Sequence, residues 1–249
     1  MKKFLVFLMS IVIIVSFGLV TYYFLRNDEV INFKNYEIYC NVGDTISIAD
    51  LGKNVKKASY KTKYNYNAGD ETVVSSVTFD DKKGYYVAKK GGDFEVVIST
   101  TNKNFAKFKF VFHIGDGSDE NPYFVRNEQD LVKIGRAYSL SSKYELLNDV
   151  MLSTSFQPIG FDAIQNEWTG FNGFFEGNNH TIVGSNFAYE TENAGLFASL
   201  NGATVRNLTL KNFDITGSYS NAGVLAGSAN NAVVNNVRVK NSKINNAKI

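Results

Sequence analysis

Ala203-Thr204-Val205-Arg206-Asn207-Leu208-Thr209-Leu210-Lys211-Asn212 returns 29 residues later as Ala232-Val233-Val234-Asn235-Asn236-Val237-Arg238-Val239-Lys240-Asn241. Just upstream, Asn193-Ala194-Gly195-Leu196-Phe197-Ala198 returns as Asn221-Ala222-Gly223-Val224-Leu225-Ala226 after 28 residues. A period near 28 without a helical pattern predicts stacked coils of short strands, a β-solenoid. The apolar residues expected to point inward are Val205, Leu208, Leu210 and Ile215 in one coil, and Val234, Val237, Val239 and Ile244 in the next. The one-residue slip between the two halves of the repeat is expected in the Asn230-Asn231 turn. A fainter, earlier copy runs through Thr181–Phe187. Asn207 and Asn236 hold equivalent corners, where Asn tolerates the left-handed conformation and its amide bonds backbone groups. Stacked Asn side chains can also form ladders. These Asn therefore read as structural.

Working outward, the composition agrees. The chain has 249 residues, with 29 Asn, two Pro and one Cys. Eleven of the Asn lie in residues 201–249. Strand formers mixed with Asn and Gly predict an all-β protein with many tight turns. One cysteine excludes a disulfide scaffold and any zinc site built on several cysteines. Cys40 reads as a strand residue.

Upstream of the repeat stand Gln157-Pro158-Ile159-Gly160 and Trp168-Thr169-Gly170-Phe171-Asn172-Gly173-Phe174-Phe175-Glu176-Gly177-Asn178-Asn179-His180-Thr181-Ile182. Together with Gly195-Leu196-Phe197-Ala198 and Gly223-Val224-Leu225-Ala226-Gly227, these make residues 121–249 resemble the GLUG-motif β-helix regions of bacterial surface and adhesin-like proteins. Glu176 stands for that family's usual Asp, and Asn179 for its usual Gly. The resemblance implies a right-handed β-helix over 123–249. It gives structural roles to Gly160, Gly170, Gly173, Gly177, Asn178, His180, Gly195, Asn207, Gly223 and Asn236. The pattern breaks off at Lys248-Ile249 without a polar cap or sorting signal, which reads as a truncated solenoid.

Residues 116–122, acidic and Gly-rich, read as a linker. Gly117 and its neighbouring acids could suggest a calcium loop, but the alternating acids of an EF-hand are missing. Asn127 is placed to cap a short helix through Arg136 that would cap the solenoid. Before the linker, residues 31–115 hold the β-rich runs Tyr36–Cys40, Thr45–Ile48, Val73–Phe79, Tyr85–Ala88, Asp93–Thr100 and Phe105–His113, with turn signals between them. This predicts an immunoglobulin-like β-sandwich. Val42–Ile48 and Tyr86–Ile98 resemble the bacterial immunoglobulin-like domains of surface proteins, which implies a spacer or binding module.

Met1-Lys2-Lys3 precedes an apolar run from Phe4 to Leu25, long enough as a helix to cross a bilayer. Residues 1–29 are therefore a signal anchor or a signal peptide. Cleavage after Gly18 would leave a greasy mature start, which favours the anchor, with the basic residues inside and the rest of the chain exported. Without Lys2, Lys3 and Arg26 the chain carries 23 basic and 24 acidic residues. Such a balance excludes a nucleic-acid footprint. No Gly-rich phosphate loop precedes a helix, so no nucleotide partner is expected.

No catalytic or metal-binding set, and no cofactor, is read from the sequence. Glu190, Glu192 and Asp214 do not recur at a rung spacing that would stack two acids on one face. Trp168 could stack on a sugar, but beside a buried rung it reads as core. The expectation is a non-enzymatic, membrane-tethered bacterial surface protein whose solenoid binds a host or matrix glycan or protein. A polysaccharide lyase or hydrolase on a β-helix, and a structural spacer, are the rivals.

Overall fold

The computed structural model describes residues 13–14, 19–20, 36–47, 60–62, 77–80, 85–100 and 108–245. Within the N-terminal apolar run, Ile13–Ile14 and Leu19–Val20 pair as a short antiparallel ladder. The rest of the expected helix lies outside the described residues. The chain divides into two units, Met1–Asp116 and Gly117–Ile249.

The first unit contains a four-stranded and a three-stranded sheet among its described residues. In the larger sheet the order is Tyr36–Asn41, Phe108–Gly115, Gly92–Thr100, Tyr60–Thr62. The first of these pairs is parallel and the others are antiparallel. In the smaller sheet Tyr85–Ala88 lies between Thr45–Ser47 and Val77–Asp80. The period of two in each strand puts Ile38 and Cys40, and Phe112 and Ile114, inside. Val42-Gly43-Asp44 is the expected turn. Gly43 takes φ 90°, and the Asp44 amide donates to the Asn41 carbonyl at 2.9 Å.

The second unit is a β-solenoid of about four turns with almost no helix. Tyr123–Val125, Lys143–Leu146, Phe174–Glu176, Thr204–Lys211 and Val233–Lys240 stack in parallel, each in register with the next. The last two strands continue around an Asn corner, where Thr181–Val183 pairs with the far half of Thr204–Lys211. Asn186–Glu190, Asp214–Ser218 and Lys243–Ile244 stack on a further side, and Phe197–Asn201 with Ala226–Asn230 on another. The fainter copy at Thr181–Phe187 is thus a true coil. Ile182 pairs with Leu210, and Phe187 with Ile215.

Alternation within each strand turns one side chain in two toward the axis. Tyr144, Phe175 and Val205 form one inward column, and Ile182 and Leu210 another; each is 0% exposed. Phe171, Phe197 and Leu200 fill the opposite side, with the Phe171 and Phe197 rings 5.0 Å apart. Removing this much apolar surface from water is the main term that holds parallel coils together. In the last coil the equivalent Val234, Val239 and Ile244 are 48%, 51% and 40% exposed.

The coils are not of one length. The Gly177-Asn178-Asn179-His180 corner carries four residues between paired strands, where the next coil carries only Asn207 and Leu208. The slip between 28 and 29 does not fall at Asn230-Asn231. Ala194 pairs with Ala222, but Phe197 pairs with Ala226, and Asn201 pairs with Asn230. The extra residue is therefore in Gly223-Val224-Leu225, where Gly195-Leu196 suffices one coil earlier. Register along the Phe197 strand is set by backbone pairing, so the similar letters Phe197 and Leu225 do not face each other.

Eight described non-glycine residues have positive φ, and all are Asn: 166, 178, 179, 207, 212, 231, 236 and 241. A left-handed backbone costs other L-residues roughly 1–2 kcal/mol, and a short amide offsets part of that by bonding locally. Asn236 donates to the Asn207 side-chain oxygen at 2.8 Å, and Asn221 to that of Asn193 at 2.9 Å.

The helix at Glu128–Lys133 belongs to the terminal coil. Its N-cap is Asn127, whose side chain accepts from the Asp130 amide. Asp130 is buried and bridged by Arg126 at 2.7 and 3.0 Å, while Leu131 enters the core. Residues 117–122 form a turn tied to this coil. The Gly117 amide donates to Asn121, and its carbonyl accepts from the Lys143 amide.

Candidate functional site

The solenoid unit carries two polar regions. The first is a column on the outward face of the leading ladder. Register places Phe124, Glu145, Glu176, Arg206 and Asn235 one above another on successive strands, about 4.8 Å apart. Glu145 and Glu176 are therefore stacked carboxylates. The coil spacing here is 31 and then 30 residues rather than 28, so no fixed period reveals the pair. Glu190 and Asp214, by contrast, pair with Ser218 and with Asn186 and Lys243, so they do not stack on another acid.

Glu176 is 6% exposed. Its Oε1 accepts from the Asn178 amide at 2.9 Å and from the Asn207 side chain at 3.0 Å. Its Oε2 accepts from Arg206 Nε. Burial alone would raise its pKa, but these donors and the Arg206 charge hold it below the usual carboxylate range. Glu145 moves the other way. Burial and the neighbouring Glu176 charge push it up, opposed by Arg206 and Asn178. A pair pushed apart in this manner is the usual signature of an acid and a base. The bonding argues differently: three of the donors around Glu176 are parts of the corner itself. Arg206 also lies over the Phe174 ring at 4.7 Å.

The second region is a hairpin that leaves the coil between Gly160 and Gly170. Phe161–Asp162 pairs antiparallel with Glu167–Trp168. At its tip Asp162 accepts from the Ile164 and Gln165 amides at 2.9 and 3.1 Å, and Asn166 takes φ 57°. Its stem closes where the Thr169 and Gly170 amides both donate to the Gly160 carbonyl. Gly160 and Gly170 have φ of 146° and 80°. A Cβ on Gly170 would run into Ser199 Oγ, so glycine there lets the stem close against the next coil. The Ala163 amide ties the hairpin to the Gly135 carbonyl at 2.7 Å.

Trp168 is 54% exposed and Ile164 91% exposed, so Trp168 is not the core residue expected from its neighbours. Its ring meets Phe161 edge-on at 5.5 Å. Phe161 in turn lines a cavity of about 200 Å³ between the helix and the Ser155–Phe161 loop, with Glu128, Arg136, Phe156, Gln157 and Ile159. The sequence signal for this region is the gap between Pro158-Ile159-Gly160 and Gly170-Phe171: nine residues that no part of the repeat requires, with Asp and Asn at turn positions.

The residues given structural roles by sequence divide between these features. Gly160 and Gly170 form the hairpin stem. Gly177, Asn178, Asn207 and Asn236 form the Glu176 corner, with φ of 48°, 53° and 51° at the three Asn. Gly173 lies against the Leu140–Ser142 backbone, and Gly195 and Gly223 against each other where coils pass closely. His180 faces Asp149 at 3.4 Å, and the same carboxylate accepts from the Thr181 amide at 2.8 Å. Among the described residues no group of three or more His, Cys, Asp and Glu is placed to hold a metal ion. No described helix is long and apolar enough to cross a membrane.

The family model described as the M26 IgA1-specific metallo-endopeptidase N-terminal region matches residues 72–241, more than half of the chain. The chain belongs to this family. The match covers the later strands of the first unit and nearly the whole solenoid, including both the column and the hairpin. No curated protein and no solved structure matches the chain.

Proposed function

We propose that this chain is a non-catalytic region of a bacterial surface protein that binds an extracellular ligand, glycan or protein, through its solenoid. The observation that carries the reading is the match to the N-terminal region of a metallo-endopeptidase family, on a solenoid whose buried carboxylate is consumed by its own corner. In this reading the chain holds or presents a target while the chemistry is done elsewhere. The IgA1-specific description of this family makes immunoglobulin A1 one target to include in any screen.

The remaining parts of the proposal have narrower support. A GLUG-type assignment for the solenoid rests on Gly195-Leu196-Phe197 and on the glycine-rich corner at Gly177. The immunoglobulin-like reading of the first unit is supported by strand order. With seven strands counted from Tyr36, third-sixth-seventh and second-fifth-fourth are the C-F-G and B-E-D orders of that sandwich, with the first strand added at the G edge. Export and tethering by residues 1–29 rest on Lys2, Lys3 and the apolar run to Leu25.

One observation favours a second reading. Stacked Glu145 and Glu176, with pKa values displaced in opposite directions, resemble the carboxylate pair of a glycan-cleaving site. The two readings separate in one experiment: the full chain is incubated with immobilised glycans, matrix proteins and immunoglobulin A1, and both capture and products are measured. Saturable capture with the ligand recovered intact supports binding. Release of cleaved glycan supports the second reading, and neither capture nor turnover across the panel overturns both.

A further inference from the structure

We infer that the cavity beside the Phe161–Trp168 hairpin is a binding site for a single neutral pyranose ring at the end of a glycan; this rests on the binding function proposed above. The volume of about 200 Å³ suits one ring and is too small for an extended peptide. The lining is half polar and half apolar, with Phe156, Ile159 and Phe161 on its apolar part. Trp168 does not line the cavity itself; it stands edge-on against Phe161 with about half its surface in solvent, so a sugar that rests on Phe161 and extends past the rim would meet the indole.

The polar groups on the rim match a set of hydroxyls. Arg136 is exposed and its guanidinium has no hydrogen-bond or ion-pair partner among the described residues. Glu128 receives both Ser153 donors on Oε1, which leaves Oε2 able to accept. Gln157 offers a donor and an acceptor. A pyranose hydroxyl both donates and accepts, so a guanidinium and a carboxylate on one rim can share its ring. One positive and one negative group also leave the site without net charge, which favours a neutral sugar over a uronic or sialic acid. The hairpin is held in place by its Gly160–Gly170 stem and by the Gly135 carbonyl, so the aromatic pair is fixed before ligand arrives.

The test uses the full chain and the methyl glycosides of glucose, galactose, mannose and N-acetylglucosamine. Trp168 is the only tryptophan, so its emission reports this region directly. Saturation-transfer NMR follows variants that lack it. The expected result is a saturable response to at least one glycoside, weakened roughly tenfold in both Arg136→Ala and Trp168→Ala. It should be unchanged in Lys211→Ala, an exposed strand residue. No response to any glycoside, or parent-like binding in both variants, overturns the site. If the variants lose nothing while capture by the wider panel persists, the site falls and the binding function stands. If nothing in the panel is captured either, both fall.

Discussion

At the Glu176 corner, Asn178, Asn207 and Arg206 all donate to one buried carboxylate. At the hairpin groove, Trp168, eight residues before Glu176, and Arg136, forty residues before it, leave their aromatic and polar groups to solvent. Both regions are rich in the residues that do chemistry. The difference lies in whether those residues are already answered from within the fold. A corner that satisfies itself stabilises the coil, whereas a groove that does not is available to a ligand. A solenoid makes the contrast easy to see, because Asn207 and Asn236 repeat one corner in successive coils while the hairpin leaves a single coil.

The comparison can be broken most severely from the core outward. Phe197→Ala removes a fully buried ring that meets Phe171 and Phe175, and should cost ~3–5 kcal/mol of stability in urea unfolding. Such a loss would give the scale for the corner. Glu176→Ala leaves the Asn178 amide, the Asn207 side chain and Arg206 without their acceptor, and should cost ~2–4 kcal/mol. If the corner is only structural, the folded fraction of this variant binds ligand as the parent does. Asn207→Ala forces alanine into φ 53° and removes the bonds to Glu176 and Asn236, a loss of ~1–3 kcal/mol by the same measurement.

Much of the corner was legible in advance and little of the groove was. Asn207 and Asn236 stood out because they recur at one spacing, and a recurring Asn has a local physical reason at a turn. The inward residues Val205, Leu208 and Leu210 could be read from the apolar residues that recur as Val234, Val237 and Val239 one coil later. Stacking of Glu145 on Glu176 could not, because the coils that carry them differ in length and only backbone pairing sets their register. The position of the extra residue, in Gly223-Val224-Leu225, was hidden by similar letters that do not pair. Trp168 was misread because its exposure depends on a hairpin leaving the coil, and an insertion has no period to betray it.

A smaller effect sharpens the contrast through pH. The folded state holds the Glu145 proton more tightly than the unfolded chain, so its contribution to stability is complete in acid and is lost as pH rises through the raised folded value. Glu145→Gln should remove that loss, and its stability relative to the parent should grow from acid toward neutral pH. Glu176 has the opposite sign: its contribution is present above the unfolded value and is lost as pH falls through the lowered folded value. Glu176→Gln should therefore flatten the acid side of the curve. The smallest expected effect is at the groove, where Trp168→Ala and Arg136→Ala should each shift stability by no more than about 0.5 kcal/mol.

The division between a self-satisfied corner and an open groove is tested most directly by one paired measurement on Glu176→Ala and Trp168→Ala: urea unfolding and ligand capture, each made on both full-length variants. The account predicts a lowered unfolding midpoint with capture retained in Glu176→Ala, and an unchanged midpoint with capture lost in Trp168→Ala. Parent-like stability with lost capture in Glu176→Ala, beside full capture in Trp168→Ala, would contradict it and move the site to the carboxylate column.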